Sequence, residues 1–480
     1  MTSNTEDRTA GRSVVRGPIP GPVPMSGLLY DLTALDYVEE EYLLEGTARS
    51  FALVGERGGD GRWSVAPDGE AAFVTRLLVR RPADPGRFSG TVVAEWLNVS
   101  GGRDGSPDWT MLHPHIVRRG HAWVGVSAQK VGIENGGRVD GMHLRKLDPV
   151  RYGQLSHPGD AFAYDIFTQA GRVLRAPSGV SALGPLTATR LLAAGESQSA
   201  AFLVTYINAV DDHAAVFDGF LVHGRGAAGA ALDGFRLPAT GDLEEARRQM
   251  SRHPERIRSD NRVPVIVLQS ETDVAPLGGG LPAQPDGDRL RVWEIAGTAH
   301  GDTYMLVAGA HDDGRLPPER LAALLRPVAE ALGVPTDSPI NGAPQQHFVA
   351  QTALAWLDGW SGGGDPPPAA ARLETTADGA ALVVDEHGNA RGGIRTPWVD
   401  VPTAVYSGLG QSGAVFSMLF GRTVAFDQAT LQRLYPGGLP DYLDRFASAL
   451  DRAIAAGFLL DDDRNQILDL AAPSYPTGAE

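Results

Sequence analysis

Short apolar runs recur along the first 360 residues, each parted from the next by an amphipathic stretch and a glycine turn, and this rhythm limits the possible folds severely. Thr91–Leu97 is such a run, followed by the helix-like Trp109–Arg119, the stop residue Gly120 and a second run, His121–Val126. Glycine just past a helix suits the left-handed conformation that ends it. The pattern continues through helical Ala161–Leu174, the run Arg190–Ala194, helical Ala200–Val210 and the run Phe217–His223. Val263–Leu268 and Leu290–Ile295 close the series, before an amphipathic helix at Gln346–Trp360. Strands that alternate with helices build βαβ units, and buried parallel strands read as continuous apolar runs. Two longer β-rich stretches, Tyr42–Val54 and Ala72–Arg80, are expected as antiparallel edge strands ahead of a mostly parallel sheet.

On a parallel sheet the carboxyl ends of the strands share one edge, so residues just beyond them converge. Three chemically significant residues stand there. Arg190–Ala194 runs into Gly195-Glu196-Ser197-Gln198-Ser199 and then into a helix. A strand-to-helix turn of the form Gly-x-Ser-x-small holds one serine exposed and strained, with the following N–H groups free at a helix start. That motif alone recurs by chance about once in a chain of this length, so Ser197 gains meaning only from a base and an acid. Val263–Leu268 is followed by Glu271 and Asp273, and Leu290–Ile295 by Gly297-Thr298-Ala299-His300. The order serine, acid, histidine is thus complete at three strand ends, with Glu271 and Asp273 both placed to be the acid.

This constellation resembles the α/β-hydrolase superfamily over roughly Tyr42–Trp360, and Asp385–Pro397 resembles the tail of a large bacterial branch of it. The resemblance implies an α/β-hydrolase fold with a mostly parallel central sheet, flanking helices, a cap insertion and a C-terminal accessory segment. It implies Ser197 as nucleophile, His300 as general base and Asp273 as the acid that orients it, since its spacing from the strand matches the family better than that of Glu271. Backbone N–H groups of Gln198 and of the Asn98/Val99 turn would bind the oxyanion. Two departures are visible: Ser199 replaces the glycine that ends the usual elbow, and the Asn98–Gly101 turn lacks a His-Gly signature. The reaction implied is ester cleavage through an acyl-enzyme, without a cofactor; acyl transfer or lactone opening by the same triad is the alternative, and a non-catalytic binding protein a more distant one.

Other features carry structural expectations. Ser412, in Gly410-Gln411-Ser412-Gly413, imitates the elbow, but no histidine follows His387 to serve it. His113 and His115 are two apart, so their rings diverge on a helix and no metal is expected. Arg395 is expected in an ion pair, Asp461–Asp463 as a solvated helix cap, and Trp96, Trp109, Trp293 and Phe220 mainly as core residues, with lining of the pocket as the alternative. Residues 1–18 are expected to be a disordered tail, 19–361 the core with a cap insertion near 226–262, and 369–480 an accessory segment beyond the Gly362–Pro368 linker. A net charge of -16 disfavours nucleic acid and anionic membranes as partners. The absence of cysteine removes disulfides and thiolate chemistry. The expected partner is a small-molecule ester, the oligomeric state is open, and with no secretory leader or membrane span evident the expected compartment is the cytoplasm.

Overall fold

The computed structural model describes residues 13–24, 27–134, 142–235, 245, 248–249, 252–331, 333–377, 379, 381–412 and 415–476. Nine strands form the central sheet: β1 Val14–Arg16, β2 Tyr37–Val54, β3 Ser64–Pro82, β4 Thr91–Trp96, β5 Ala122–Val126, β6 Arg190–Glu196, β7 Gly219–His223, β8 Val265–Ser270 and β9 Leu290–Ile295. Their spatial order is β1-β2-β3-β5-β4-β6-β7-β8-β9. The pairs from β5 through β9 are parallel, and those joining β1, β2, β3 and β5 are antiparallel. The mostly parallel sheet and its flanking helices match the expectation from sequence.

The chain reverses its direction of travel across the sheet at β4. After β4 it moves to β5 on one side, then crosses to β6 on the other, so the loops leaving β4 and β6 part at this point and open a crevice at the carboxyl edge. Alternation along the strands feeds two cores. Val92, Ala94 and Trp96 of β4 enter the layer with Phe167 and Phe202, whereas Val93 and Leu97 enter the layer with Trp109 and Leu354. Helices Ala163–Arg175 and Gln198–Thr205 cover the first face, and helices Pro107–Arg119 and Gln345–Ser361 the second. Trp96, Trp109, Trp293 and Phe220 are all fully buried in these layers, and none lines the pocket.

Several expectations need correcting. The tail expected to be disordered through residue 18 ends in a strand: Val14–Arg16 pair antiparallel with Leu43–Glu45, because Val15 buries its side chain in the core beneath. Residues 1–12, and 236–244, 246, 247, 250 and 251 of the expected cap insertion, lie outside the described residues. The Gly362–Pro368 stretch lies against β9, where Arg291 Nε and Trp293 Nε1 donate to the carbonyls of Pro367 and Pro368 at 2.9 Å each. Farther on, Ile394 bridges Ile295 in parallel, shielding an edge that would otherwise be open. The β-like stretch Arg372–Asp400 shows isolated bridges such as Leu373–Gly392 and Val384–Ala390, then a helical turn at Pro397–Asp400. The helix Leu439–Ala455 sets Phe446 against Trp398 with ring centres 5.2 Å apart, in the same layer as Phe348. Asp463 is not a solvated cap residue. It is buried and accepts from Arg118 at 2.7 Å.

Candidate active site

The turn after β6 is the sharpest feature of the carboxyl edge. Ser197 has φ 60° and ψ −116°, an unfavourable conformation for a non-glycine residue, costing about 1–3 kcal/mol. Gly195 lets the following helix fold back onto its own strand: a Cβ there would lie 3.0 Å from Leu203 Cδ1 and 3.1 Å from the Ser199 carbonyl. Ser199, in place of the usual glycine, is accommodated in full burial with its hydroxyl unpaired. The Ser197 N–H donates to the His223 carbonyl at 2.9 Å, tying the elbow to β7.

His300 Nε2 is 2.8 Å from Ser197 Oγ, and its Nδ1 is 2.6 Å from Asp273 Oδ1. Because a carboxylate only accepts, Nδ1 carries the proton toward Asp273, which leaves Nε2 to accept from the serine in the neutral ring. The acid is positioned by its own local sequence. Ser270-Glu271-Thr272-Asp273 forms a capping box, in which Asp273 Oδ2 accepts from the Ser270 N–H at 2.6 Å and its hydroxyl at 2.7 Å. Oδ1 is thereby turned toward His300. Glu271 is otherwise engaged: it accepts from the Gly297 N–H at 2.5 Å and the Gly408 N–H at 2.7 Å. Burial pushes its carboxyl up to about 7, against the pull of these bonds. It therefore joins the turn before His300 to the C-terminal segment and does not reach the imidazole.

Of the three N–H groups expected to face an oxyanion, that of Asn98 is already taken. Gln198 is the first residue of its helix, so its N–H has no intrahelical acceptor. The Asn98 N–H is a correction: it donates to Gly105 O at 2.9 Å in an antiparallel bridge and is not free for a ligand. The Val99 N–H has no acceptor among the described residues. The two loops of the crevice are laced together, with Asn98 Nδ2 donating to the Glu196 carbonyl at 3.1 Å and Ser100 Oγ to Gln198 Oε1 at 3.3 Å.

Glu196 has a role that sequence reading missed. It precedes the elbow serine, is almost fully buried, and places Oε1 3.2 Å from His300 Nε2. Behind it lies a second buried pair, His223 Nδ1 with Asp108 Oδ1 at 2.9 Å. Burial pushes the Glu196 carboxyl up to about 7, with His300 and His223 pulling it back. Burial alone would lower the His300 imidazole, but Glu196 and then Asp273 reverse this and hold it at about 9. The only sequence signal was an acidic residue inside an otherwise apolar strand end.

The remaining candidates lie away from this cluster. His113 repairs a helix: Pro114 has no N–H to give the Thr110 carbonyl, and His113 Nδ1 meets that carbonyl at 3.1 Å. No group of three metal-ligating side chains occurs among the described residues. Ser412 donates to Asp337 at 2.5 Å on the surface, and Arg395 pairs with Asp400 at 2.7 Å and Asp385 at 3.0 Å. No helix among the described residues is long and apolar enough to cross a membrane.

Solved structures that match include fungal esterases from Rhizomucor miehei, at 13% identity and a TM-score of 0.34 over 71% of this chain and 94% of that one. A thermostable esterase from Pseudomonas putida ECU1011 matches at 13% identity and a TM-score of 0.32, over 62% of this chain and 83% of that one. The esterase from Pyrobaculum calidifontis gives 15% identity and 0.31, over 57% and 82%. No curated protein matches the sequence. The family model described as "Alpha/beta hydrolase domain" matches residues 10–469. With a match over nearly its whole length, the chain belongs to this family of α/β-hydrolase domains.

Proposed function

We propose that this protein is a serine hydrolase that cleaves carboxylic esters through an acyl-enzyme. The observation that carries the reading is the continuous line from Ser197 Oγ through the His300 ring to Asp273, with contacts of 2.8 and 2.6 Å, at the crevice of a parallel sheet. As Oγ attacks the ester carbonyl, the Oγ–C bond forms and the hydroxyl proton passes to Nε2. The carbonyl π pair moves onto oxygen, which faces the N–H of Gln198 and that of Val99. Collapse of this intermediate breaks the C–O bond, and the imidazolium gives its proton to the departing alcohol. Water then repeats the sequence on the acyl-enzyme, with His300 again taking the proton, and the acid leaves. Asp273 holds the ring in the required tautomer and stabilises its charged form.

Hydrolysis of p-nitrophenyl butyrate by wild type and Ser197→Ala tests the proposal. The expected loss of kcat is about 10⁴-fold or more, with the variant still folded by circular dichroism. Turnover that survives in Ser197→Ala would place the nucleophile elsewhere. Analysis of products with added alcohol acceptors completes the test: free acid is expected to dominate, and predominant transfer at millimolar acceptor would replace hydrolase with acyltransferase.

A further inference from the structure

The cavity above Ser197 has about 590 Å³ of space, within the range of about 300–1,000 Å³ typical of small-molecule sites. Among the described residues its charged lining is Glu196 and His300, already engaged with each other, and Arg103, which is exposed. The wall beyond His300 is apolar and comes from a part of the chain remote in sequence: Phe416, Met418, Leu419 and Phe420. Alanines and glycines of the 226–231 stretch also line the cavity and leave it wide.

The apolar wall is locked to the catalytic loops. The N–H of Gly301, next to His300, donates to Leu419 O at 2.9 Å. A Cβ on Gly301 would stand 3.3 Å from Phe420 Cδ1; glycine lets that ring sit beside the histidine. Thr272 Oγ1 donates to Gly408 O at 2.6 Å, and Glu271 accepts from the Gly408 N–H, so the stretch leading to the wall hangs from the turn that carries Asp273. Phe416 stands edge-on to Phe420, with ring centres 6.1 Å apart, and keeps 40% of its surface in water. An aromatic ring this exposed, on the wall of the cavity that also holds Ser197, gains most from an apolar group laid over it.

We infer that the substrates are uncharged esters carrying a bulky apolar group, and that the C-terminal stretch Phe416–Phe420 selects them. The inference rests on Ser197 being the nucleophile, as proposed above. A carboxylate-bearing group would lose its hydration against this wall, and the buried imidazole that lines the cavity, His300, is already paired with Glu196 and Asp273.

The test is kcat/KM for p-nitrophenyl acetate, butyrate, hexanoate and hemisuccinate, with wild type, Phe416→Ala and Phe416→Asp. In wild type each added methylene should raise kcat/KM by up to about fourfold, from about 0.8 kcal/mol per buried CH₂. Hexanoate should exceed hemisuccinate by more than tenfold. The hexanoate-to-acetate ratio should fall several-fold in Phe416→Ala and further in Phe416→Asp. A flat profile, a preference for hemisuccinate, or ratios unchanged in both variants would each overturn the inference. Calorimetric titration of Ser197→Ala with 2-nonanone and 2-butanone reads the wall without chemistry. Tighter binding of the longer ketone is expected, and equal affinities would refute the apolar wall whatever the nucleophile. Fluorophosphonate labelling of Ser197 in the same preparation separates the two claims: labelling with a flat profile removes only the substrate class, whereas absent labelling removes the hydrolase reading.

Discussion

Replacing Glu196 with glutamine keeps the shape of the elbow and removes one negative charge 3.2 Å from His300 Nε2. At an effective dielectric of about 20, two unit charges at that distance interact by about 5 kcal/mol, an upper limit for a site open to a cavity. Solvent entering the pocket and the dipole of the new amide reduce this, leaving a fall of about one to two pH units in the imidazole pKa at about 1.4 kcal/mol per unit. The groups facing Glu196 are His300 beyond β9, Asp273 beyond β8, His223 at the end of β7 and Asp108 in the helix after β4. All of them remain. Catalysis needs the neutral ring, whereas Glu196 and Asp273 keep the imidazole protonated up to about 9. Wild-type kcat/KM should therefore climb with pH and be half-maximal near 9, and the midpoint for Glu196→Gln should lie about one to two pH units lower.

The plateau should change in the opposite sense. Above the limb the ring starts neutral and becomes imidazolium in the transition state, so the carboxylate helps, and its loss costs about ten- to a hundredfold, the counterpart of the one to two pH units. Where both enzymes start with imidazolium, the charge acts equally on ground and transition state, and the two rates should converge. Because Glu196 itself titrates at about 7, the pair is best read as two macroscopic steps. Stopped-assay pH–rate profiles from 6 to 10 for both proteins measure this directly. Superimposed profiles, or a limb that moves to higher pH, would refute an electrostatic action of Glu196 on His300.

The two acidic residues after β8 should separate by phenotype. Asp273→Asn should lower kcat by about 10⁴-fold by favouring the wrong imidazole tautomer, with KM little changed. Glu271→Gln should instead destabilise the protein by about 1–3 kcal/mol in urea unfolding, because one of two buried glycine N–H groups loses its acceptor. Equal catalytic losses in the two variants would contradict their assigned roles. Gly195→Ala should cost about 1–3 kcal/mol through overpacking against Leu203 and the Ser199 backbone, and should lower kcat as the elbow shifts. An unperturbed kcat there would show that the close helix–strand approach is not needed to hold Ser197.

Ser197, Asp273 and His300 were legible in sequence because each follows an apolar run by only a few residues, and a parallel sheet brings such positions to one edge. Asp273 could be preferred over Glu271 by spacing, but the physical reason, a capping box that aims one carboxylate oxygen at His300, appears only in three dimensions. That the Asn98 N–H is taken is not visible in sequence, because its acceptor, Gly105, lies across a loop bridge that no local pattern marks. Glu196 is hidden in sequence because strand alternation says which face a residue takes, not that its carboxylate comes to lie 3.2 Å from an imidazole. Phe416 and Phe420 lie far beyond the triad in sequence, and only the docking of the C-terminal segment against Gly301 and Thr272 brings them to the pocket. Val14–Arg16 is too short to show periodicity; its pairing depends on a long partner strand already in place.

The central claim is that Ser197 is an activated nucleophile. Its most direct test is reaction with a fluorophosphonate, followed by peptide mass spectrometry, in wild type, Ser197→Ala and His300→Ala. The account predicts a single adduct on Ser197, no adduct in Ser197→Ala, and labelling slowed by orders of magnitude in His300→Ala. An adduct on another serine, or labelling of Ser197 at an undiminished rate without His300, would contradict it.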